Sequence, residues 1–138
     1  MRATGCVFCE SDGGQVLWRD ERLRVIAPDE KDHPGFLRVV WHEHVAEMTS
    51  LPASDREHFM RVVFATEAAM RELLNPHKVN LASLGNVVPH LHWHVIPRFT
   101  EDPHFPNSVW GQRLREGPVS VPQDYRAQIT ARLRTLLS

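Results

Sequence analysis

The chain has 138 residues, of which 42% are hydrophobic and 24% are charged, and its formal net charge is −1. These values are typical of one globular domain with a real core, and the near-neutral charge argues against nucleic acid as a partner. No apolar run is long enough to span a bilayer and the N-terminus lacks the apolar segment of a signal peptide, so we expect a cytoplasmic protein without a membrane partner.

Near the N-terminus, Cys6 and Cys9 form a C-x-x-C pair that is followed by a turn-forming stretch ending in Gly13 and Gly14. In a cytoplasmic protein the pair is not expected to be a structural disulfide. It is compatible with a redox couple, with half of a zinc site, or with two reduced cysteines packed as small apolar groups. Two imidazoles from elsewhere in the chain would complete a tetrahedral structural zinc site.

The middle of the chain alternates between strand and helix patterns. Apolar runs bounded by turn residues predict strands over residues 15–20, 23–27, 36–41 and 79–83. A capping-box pattern at Ser54 and helical spacing of apolar residues predict a helix over 54–74, and Asn75-Pro76 is expected to end it. We expect His58 and His77, near the helix ends, to be exposed and without a role. A second capping pattern at Ser120 predicts a C-terminal helix.

Between these elements, residues 89–98 contain three histidines that alternate with apolar residues. Period-two alternation predicts a strand on which His90, His92 and His94 share one face, roughly 6.6–7 Å apart. Three imidazoles in a row can line a ligand the size of a phosphate chain, form a metal triad, or face solvent. The apolar residues between them favour a strand that is packed on its other face, and phosphate chemistry is the favoured interpretation.

The run from His90 to Ile96 fits the pattern His-φ-His-φ-His-φ-φ, where φ is apolar, and resembles the signature of the histidine triad (HIT) superfamily. The following Pro97-Arg98 resembles its dinucleoside polyphosphate hydrolase branch, and the bacterial members of that branch in particular. We expect an α+β fold with an antiparallel sheet of about five strands, one long helix and a C-terminal helix. This gives a single domain over 1–138, with 99–138 a C-terminal extension outside the motif region, and the resemblance implies a homodimer.

The resemblance also implies a nucleotide as the small-molecule partner and assigns roles to the histidines. His92 would be the nucleophile, the role for which the middle ring is also best placed because a neighbour flanks it on each side. His94 would donate to phosphate oxygens, and His90 would either do the same or bind zinc. No catalytic metal is expected, since the chain has no Walker-type loop or acidic cluster for magnesium.

Further candidates come from the same resemblance. The family holds the base with an apolar residue, which Ile26 matches, and the ribose with an acidic residue, which Asp29 matches. Two amides lie near the phosphate in the family, and Asn80 and Asn86 match them. Some members hold structural zinc through residues that match Cys6, Cys9, His44 and His90.

Two positions depart from the family pattern. Phe36 stands where many members have a histidine near the nucleotide, and His33 cannot be assumed to replace it. Val87 stands where a serine or threonine donor is usual. Farther along, Trp110 either covers the substrate site or packs at the edge of the core, and the second alternative is favoured.

The predicted function is therefore a nucleotide hydrolase or nucleotidyl transferase. It would cleave a nucleoside phosphate bond, of the diadenosine polyphosphate or nucleoside phosphoramidate type, through a covalent intermediate on His92. One alternative is a zinc hydrolase with the three histidines as metal ligands. The other is a nucleotide-binding protein with little turnover.

Overall fold

A five-stranded antiparallel sheet forms the centre of the computed structural model, which describes residues 2–138. Its strands are β1 (Gln15–Arg19), β2 (Leu23–Ala27), β3 (Leu37–Trp41), β4 (Lys78–Ala82) and β5 (His92–Arg98). They lie in the order β1-β2-β3-β5-β4, and every neighbouring pair is antiparallel. The predicted α+β class and the predicted strand count are confirmed.

The helices are α1 (Val7–Glu10), α2 (Ala53–Leu74) and α3 (Tyr125–Leu136), with a 3-10 turn at Met48–Ser50. As predicted, α2 ends at Leu74, and Asn75 caps it in a left-handed conformation with φ 47°. Both predicted capping boxes are wrong. The N-cap of α2 is Pro52 and that of α3 is Asp124, and neither makes a side-chain capping bond. Pro52 places the helix start one residue ahead of Ser54, so the Ser54 hydroxyl is not in the capping position.

The sheet separates two layers because side chains alternate along each strand. On one face, the apolar residues of the strands pack against α2 and α3 and form the main core around Phe59, Met70 and Ile129. On the other face, a smaller apolar cluster of Phe8, Ile26 and Val40 lies beside the histidines.

The histidine strand begins later than predicted. β5 starts at His92, and the Leu91 N–H donates to the carbonyl of Val45 (2.7 Å), which belongs to no strand. This bond draws the backbone before His92 toward the segment after β3. His90 therefore precedes the strand and is held apart from the other two histidines. None of the helices within residues 2–138 is long and apolar enough to cross a membrane.

Candidate functional site

A cavity of about 370 Å³ opens on the histidine face of the sheet, where β3 and β5 meet the loop before His90. Strand pairing places Arg38 directly opposite His94. The loop turns at Gly85, whose φ of 77° is readily adopted only by glycine. The residues that line the cavity are Arg38, Leu84, Gly85, Asn86, Val87, Val88, His92, His94 and Trp110.

His92 is buried and its ring is fixed from two sides. Its Nδ1 lies 2.5 Å from the carbonyl oxygen of His90, and since a carbonyl only accepts, Nδ1 carries the proton. The Phe8 ring packs against it at 4.9 Å between centroids. Burial lowers the pKa of His92. A neutral ring protonated on Nδ1 leaves the Nε2 lone pair free, and this is the form in which imidazole is a nucleophile.

In His94 the proton is on the other ring nitrogen from that in His92. The Nε–H of Arg38 donates to its Nδ1 (3.4 Å), so the remaining proton of the neutral ring is on Nε2. Burial, followed by the nearby charges of His92 and Arg38, lowers the pKa of His94 to about 3. The rings of Phe36 and Trp110 pack against it, with centroids at 5.5 and 4.8 Å. His94 is thus a neutral hydrogen-bond donor beside a nucleophilic ring.

His90 faces a different environment, a cluster with Cys6, Cys9 and His44. Its Nε2–H donates to the carbonyl of Trp41 (2.6 Å), which leaves Nδ1 without a proton. That Nδ1 lies 3.4 Å from the Cys6 Sγ, 3.5 Å from the Cys9 Sγ and 3.2 Å from the His44 Nδ1. The four predicted zinc ligands are therefore brought together, with their ligand atoms all within 4.8 Å of one another.

The spacing of these donors suits a tetrahedral metal site. Zinc with bonds of about 2.3 Å to sulfur and about 2.0–2.1 Å to nitrogen places neighbouring ligand atoms roughly 3.3–3.8 Å apart. The sulfur–nitrogen distances of 3.4–3.5 Å in the cluster fit that range. The cluster can hold a metal ion. By contrast, His90, His92 and His94 do not converge on a common point, and within residues 2–138 no metal-ligand group combines them, so the arrangement gives no support to a zinc hydrolase built on the triad.

A buried arginine holds the cysteine segment on the sheet. Arg24 donates through Nη2 to the carbonyl of Phe8 (2.8 Å) and through Nε to the carbonyl of Asp12 (3.0 Å). Its Nη1 donates to the Nδ1 of His42 (2.9 Å). His42 and His44 are two residues apart in sequence and have different partners: His42 accepts from Arg24, while His44 joins the cysteines.

The other predicted substrate contacts are dispersed. Asn86 lines the cavity. Ile26 does not, because it is fully buried between Phe8 and Val40. Asp29 lies at a separate cavity of about 450 Å³, where its carboxylate is 3.5 Å from Arg126. Asn80 is on the histidine face, but its Oδ1 accepts from Arg98 (2.8 Å) at the far end of β5.

The departures from the family pattern leave the cavity less polar. Phe36 is buried with its ring against His94, and the Arg38 guanidinium lies 5.3 Å from the ring centroid. His33 does not replace the missing imidazole, since its buried Nε2 is paired with the Nδ1 of His104 at 2.9 Å. Val87 is 92% exposed at the cavity rim, where it offers no hydroxyl.

Several structural residues had escaped sequence reasoning. Arg98 forms a buried ion pair with Asp102 (2.9 Å), and Asp102 also accepts from the backbone amides of Phe99, His104 and Phe105. These bonds hold the pKa of Asp102 well below its usual range, against the effect of burial.

His58 was predicted to be exposed and without a role, and that prediction is wrong. Its Nε2 contacts the Asp20 carboxylate at 2.6 Å, and only 11% of its side chain is exposed. Trp110 was expected to pack at the edge of the core. Instead its ring lines the cavity and contacts the ring of His94. Arg38 had not been singled out, although a charged residue inside an apolar strand was a visible signal.

Comparisons with known proteins agree with this arrangement. The family model described as "HIT domain" matches residues 11–101. An uncharacterised HIT-like protein of Methanocaldococcus jannaschii is 26% identical over 105 residues, which span 70% of this chain and 81% of that protein.

Solved structures of histidine triad proteins share the fold. That from Marinobacter aquaeolei superimposes with a TM-score of 0.70 and 29% identity, covering 91% of this chain and 90% of its own. That from Bradyrhizobium japonicum has a TM-score of 0.72 at 24% identity and covers 92% of both chains. A zinc-bound family protein from Mycobacterium smegmatis has a TM-score of 0.67 at 21% identity, covering 96% of this chain and 95% of its own.

Proposed function

The chain belongs to the HIT domain family, and from that premise we propose that it is a nucleotide hydrolase or nucleotidyl transferase with His92 as the nucleophile. The observation that carries the proposal is the bond from the His92 Nδ1–H to the His90 carbonyl, which leaves Nε2 unprotonated at the cavity. Its substrates are nucleotides in which a leaving group is bonded to the α-phosphorus, as in diadenosine polyphosphates and nucleoside phosphoramidates.

The reaction proceeds in two displacements. The Nε2 lone pair of His92 attacks the α-phosphorus, and the bond from phosphorus to the leaving oxygen or nitrogen breaks with its electron pair. The His94 Nε2–H donates to a phosphate oxygen and stabilises the charge that develops there. Water then attacks the phosphorus of the nucleotidyl-histidine, which releases a nucleoside monophosphate and restores the neutral ring. The Asn86 amide at the cavity serves as a further donor to the phosphate.

The metal cluster has a structural role in this proposal. Cys6, Cys9, His44 and His90 would hold zinc, as the donor spacing and the zinc-bound relative support. When bound, the metal would fix the segment that carries Phe8 and would fix His90, the residue whose carbonyl orients His92. No step of the chemistry requires it.

A rapid chemical quench with a slow nucleotide substrate tests the nucleophile. Mass spectrometry of the quenched protein should find one nucleotidyl group on His92, and the His92→Asn variant should lose both the adduct and turnover, by about a thousandfold or more. His77→Asn, which changes an exposed histidine away from the cavity, is the matched control. Full activity of His92→Asn would refute the proposal.

A nucleotide-binding protein with little turnover is the second candidate. Exposed Val87 at the rim and Phe36 beside His94 favour it, since both replace polar side chains of the family pattern. Turnover near background across a panel of nucleotides, together with micromolar binding, would support it.

Assembly and location complete the proposal. β4 is an edge strand of the sheet, with backbone groups free to pair with a second chain, and this supports a homodimer. The exposed ring of Phe64 on α2 is a second apolar surface that could contact a partner subunit. Light scattering of the purified chain should give twice the mass of the monomer. A cytoplasmic location stays a prediction, which cell fractionation would test.

A further inference from the structure

Arg38 stands out among the residues that line the cavity, because it alone carries a formal charge. It lies in β3, in the middle of the sheet, between Ile26 of β2 and His94 of β5. Only 21% of its side chain is exposed, and burial lowers its pKa. A cation held in such a place is costly, since desolvation is not repaid unless an anion or strong acceptors are near.

Of the nitrogen donors of Arg38, only Nε makes a hydrogen bond among residues 2–138. Nε donates to His94, and the nearest carboxylate oxygen, on Glu30, lies 3.8 Å from Nη2, too far for a hydrogen bond. Within residues 2–138, neither terminal nitrogen of Arg38 makes a hydrogen bond. The Phe36 ring centroid lies 5.3 Å from the guanidinium carbon and takes up none of its N–H donors as a hydrogen-bond acceptor, so the terminal donors are available to a ligand.

We propose that Arg38 is a specificity-determining residue that binds a phosphate of the leaving group and so selects substrates with a phosphate chain beyond the α-phosphorus. A guanidinium fork matches two phosphate oxygens at once, which neither a neutral histidine nor an amide does. The cavity contains His92, which would attack the α-phosphorus, and Arg38 is placed one strand away beside His94. A β-phosphate in the cavity meets this cation, whereas an amine leaving group gains nothing from it.

This role of Arg38 rests on the proposed function and names its substrate class. It predicts nucleoside polyphosphates, dinucleoside polyphosphates included, as the preferred substrates, with nucleoside phosphoramidates disfavoured. In both classes the same bond to the α-phosphorus breaks. The departing group differs, since a polyphosphate leaves as a phosphate anion and a phosphoramidate leaves as an amine that takes up a proton.

Two substrates that transfer the same adenylyl group give the test: diadenosine triphosphate and adenosine phosphoramidate. Arg38→Gln should lower kcat/KM for the polyphosphate by on the order of tenfold to a hundredfold, the range of a charge-assisted hydrogen bond. The value for the phosphoramidate should fall by a smaller factor, which reports only the loss of the bond from Arg38 to His94, so the ratio of the two values should drop by on the order of tenfold. Arg38→Lys, which keeps the charge without the fork, should fall between the two.

Arg132→Gln is the matched control. Arg132 pairs with Glu72 on the helix side of the sheet, so this substitution removes the same charge at a site away from the cavity. It should leave the ratio of the two kcat/KM values unchanged. An equal loss for both substrates in Arg38→Gln would overturn the proposal and indicate a role in supporting His94.

Binding separates this proposal from the proposed function. If the wild-type protein turns over neither substrate, the hydrolase assignment fails, but equilibrium affinities for ADP and AMP still decide the role of Arg38. The protein should bind ADP more tightly than AMP, and the preference should disappear in Arg38→Gln and persist in Arg132→Gln. Equal preference in wild type and Arg38→Gln would overturn it.

Discussion

The segments at the two ends of β5 each position an aromatic ring against a histidine of the cavity, but different interactions hold them in place. At its N-terminal end, His90 joins Cys6, Cys9 and His44, and this cluster holds the segment whose Phe8 ring packs against His92. At its C-terminal end, Arg98 and Asp102 hold the loop that carries Trp110, whose ring packs against His94. Phe8 therefore packs against His92 at one end, and Trp110 packs against His94 at the other.

The difference lies in what the two ends depend on. The N-terminal end is a set of converging thiol and imidazole donors, which a metal ion would bind. The C-terminal end is complete within the protein: Arg98 donates to Asp102, to the Asn107 carbonyl (2.7 Å) and to Asn80. We infer that a chelator can loosen the support of His92 without disturbing the support of His94. The role of each histidine therefore follows from the group that its ring nitrogens contact, and the shared sequence motif does not distinguish the three roles.

The largest effect is expected at the C-terminal end. Asp102→Asn should lower the free energy of unfolding by about 3–5 kcal/mol, since it leaves Arg98 buried without a counter-charge and turns an amide NH₂ toward donors. Denaturant unfolding measures the loss. Glu101→Gln, at the exposed neighbouring carboxylate, is the control and should change stability by less than about 0.5 kcal/mol. A loss below about 1 kcal/mol for Asp102→Asn would mean that Arg98 and Asp102 do not hold the loop.

The N-terminal end should respond to metal. With free zinc at about a hundred times its Kd, the bound metal stabilises the fold by about 3 kcal/mol. Chelation, or Cys6→Ser, should remove one zinc per chain and lower the melting temperature accordingly. His77→Ala should keep its zinc. Metal analysis of the purified variants gives the answer, and a full equivalent of zinc in Cys6→Ser would contradict the assignment of the ligands.

The N-terminal end was the more predictable from sequence. Period-two alternation identifies the face of β5 that carries His92 and His94. The C-x-x-C alone left a redox pair, a zinc half-site and packed thiols open, and the resemblance to the histidine triad family supplied His44 and His90 as the other ligands. The order of sheet and helices also follows from hydrophobic periodicity. The start of β5 was misplaced, because the Leu91–Val45 bond that displaces His90 from the strand joins residues far apart in sequence.

The C-terminal end was not predictable, because its contacts have no local period. Asp102 lies in an irregular loop, and its role arises from three backbone amides and an arginine that only the folded chain brings together. The surroundings of Asp29 were hidden for a similar reason, since the Arg126 side chain that lies 3.5 Å from its carboxylate at a second cavity comes from α3, far along the chain. Arg38 escaped notice because strand register, rather than sequence spacing, sets it beside His94.

A smaller effect is expected when an aromatic ring alone is removed. Trp110→Ala should weaken nucleotide binding by about twofold to tenfold, the value of one aromatic contact beside His94. The ring is 52% exposed, so the stability of the fold should change little. Isothermal titration with ADP measures the affinity. Leu114→Ala, at another exposed apolar residue of the same loop, should bind ADP like the wild type, and equal losses in both variants would exclude a specific role for Trp110.

The smallest effect is the pH dependence that distinguishes the C-terminal ion pair. The hydrogen bonds from Arg98 and three backbone amides hold the pKa of Asp102 below its value in the unfolded chain, so the native state releases this proton more readily. The resulting stability is complete above the unfolded pKa and is lost as pH falls toward the native one. With an unfolded value near 3.9, the gap in unfolding free energy between wild type and Asp102→Asn should narrow by about 1 kcal/mol from pH 5 to pH 3. Other titrating groups, the histidines included, affect both proteins alike and cancel in the difference. A gap that stays constant over this interval would contradict the lowered pKa of Asp102, and a gap that widens would show that the carboxyl is protonated in the folded protein.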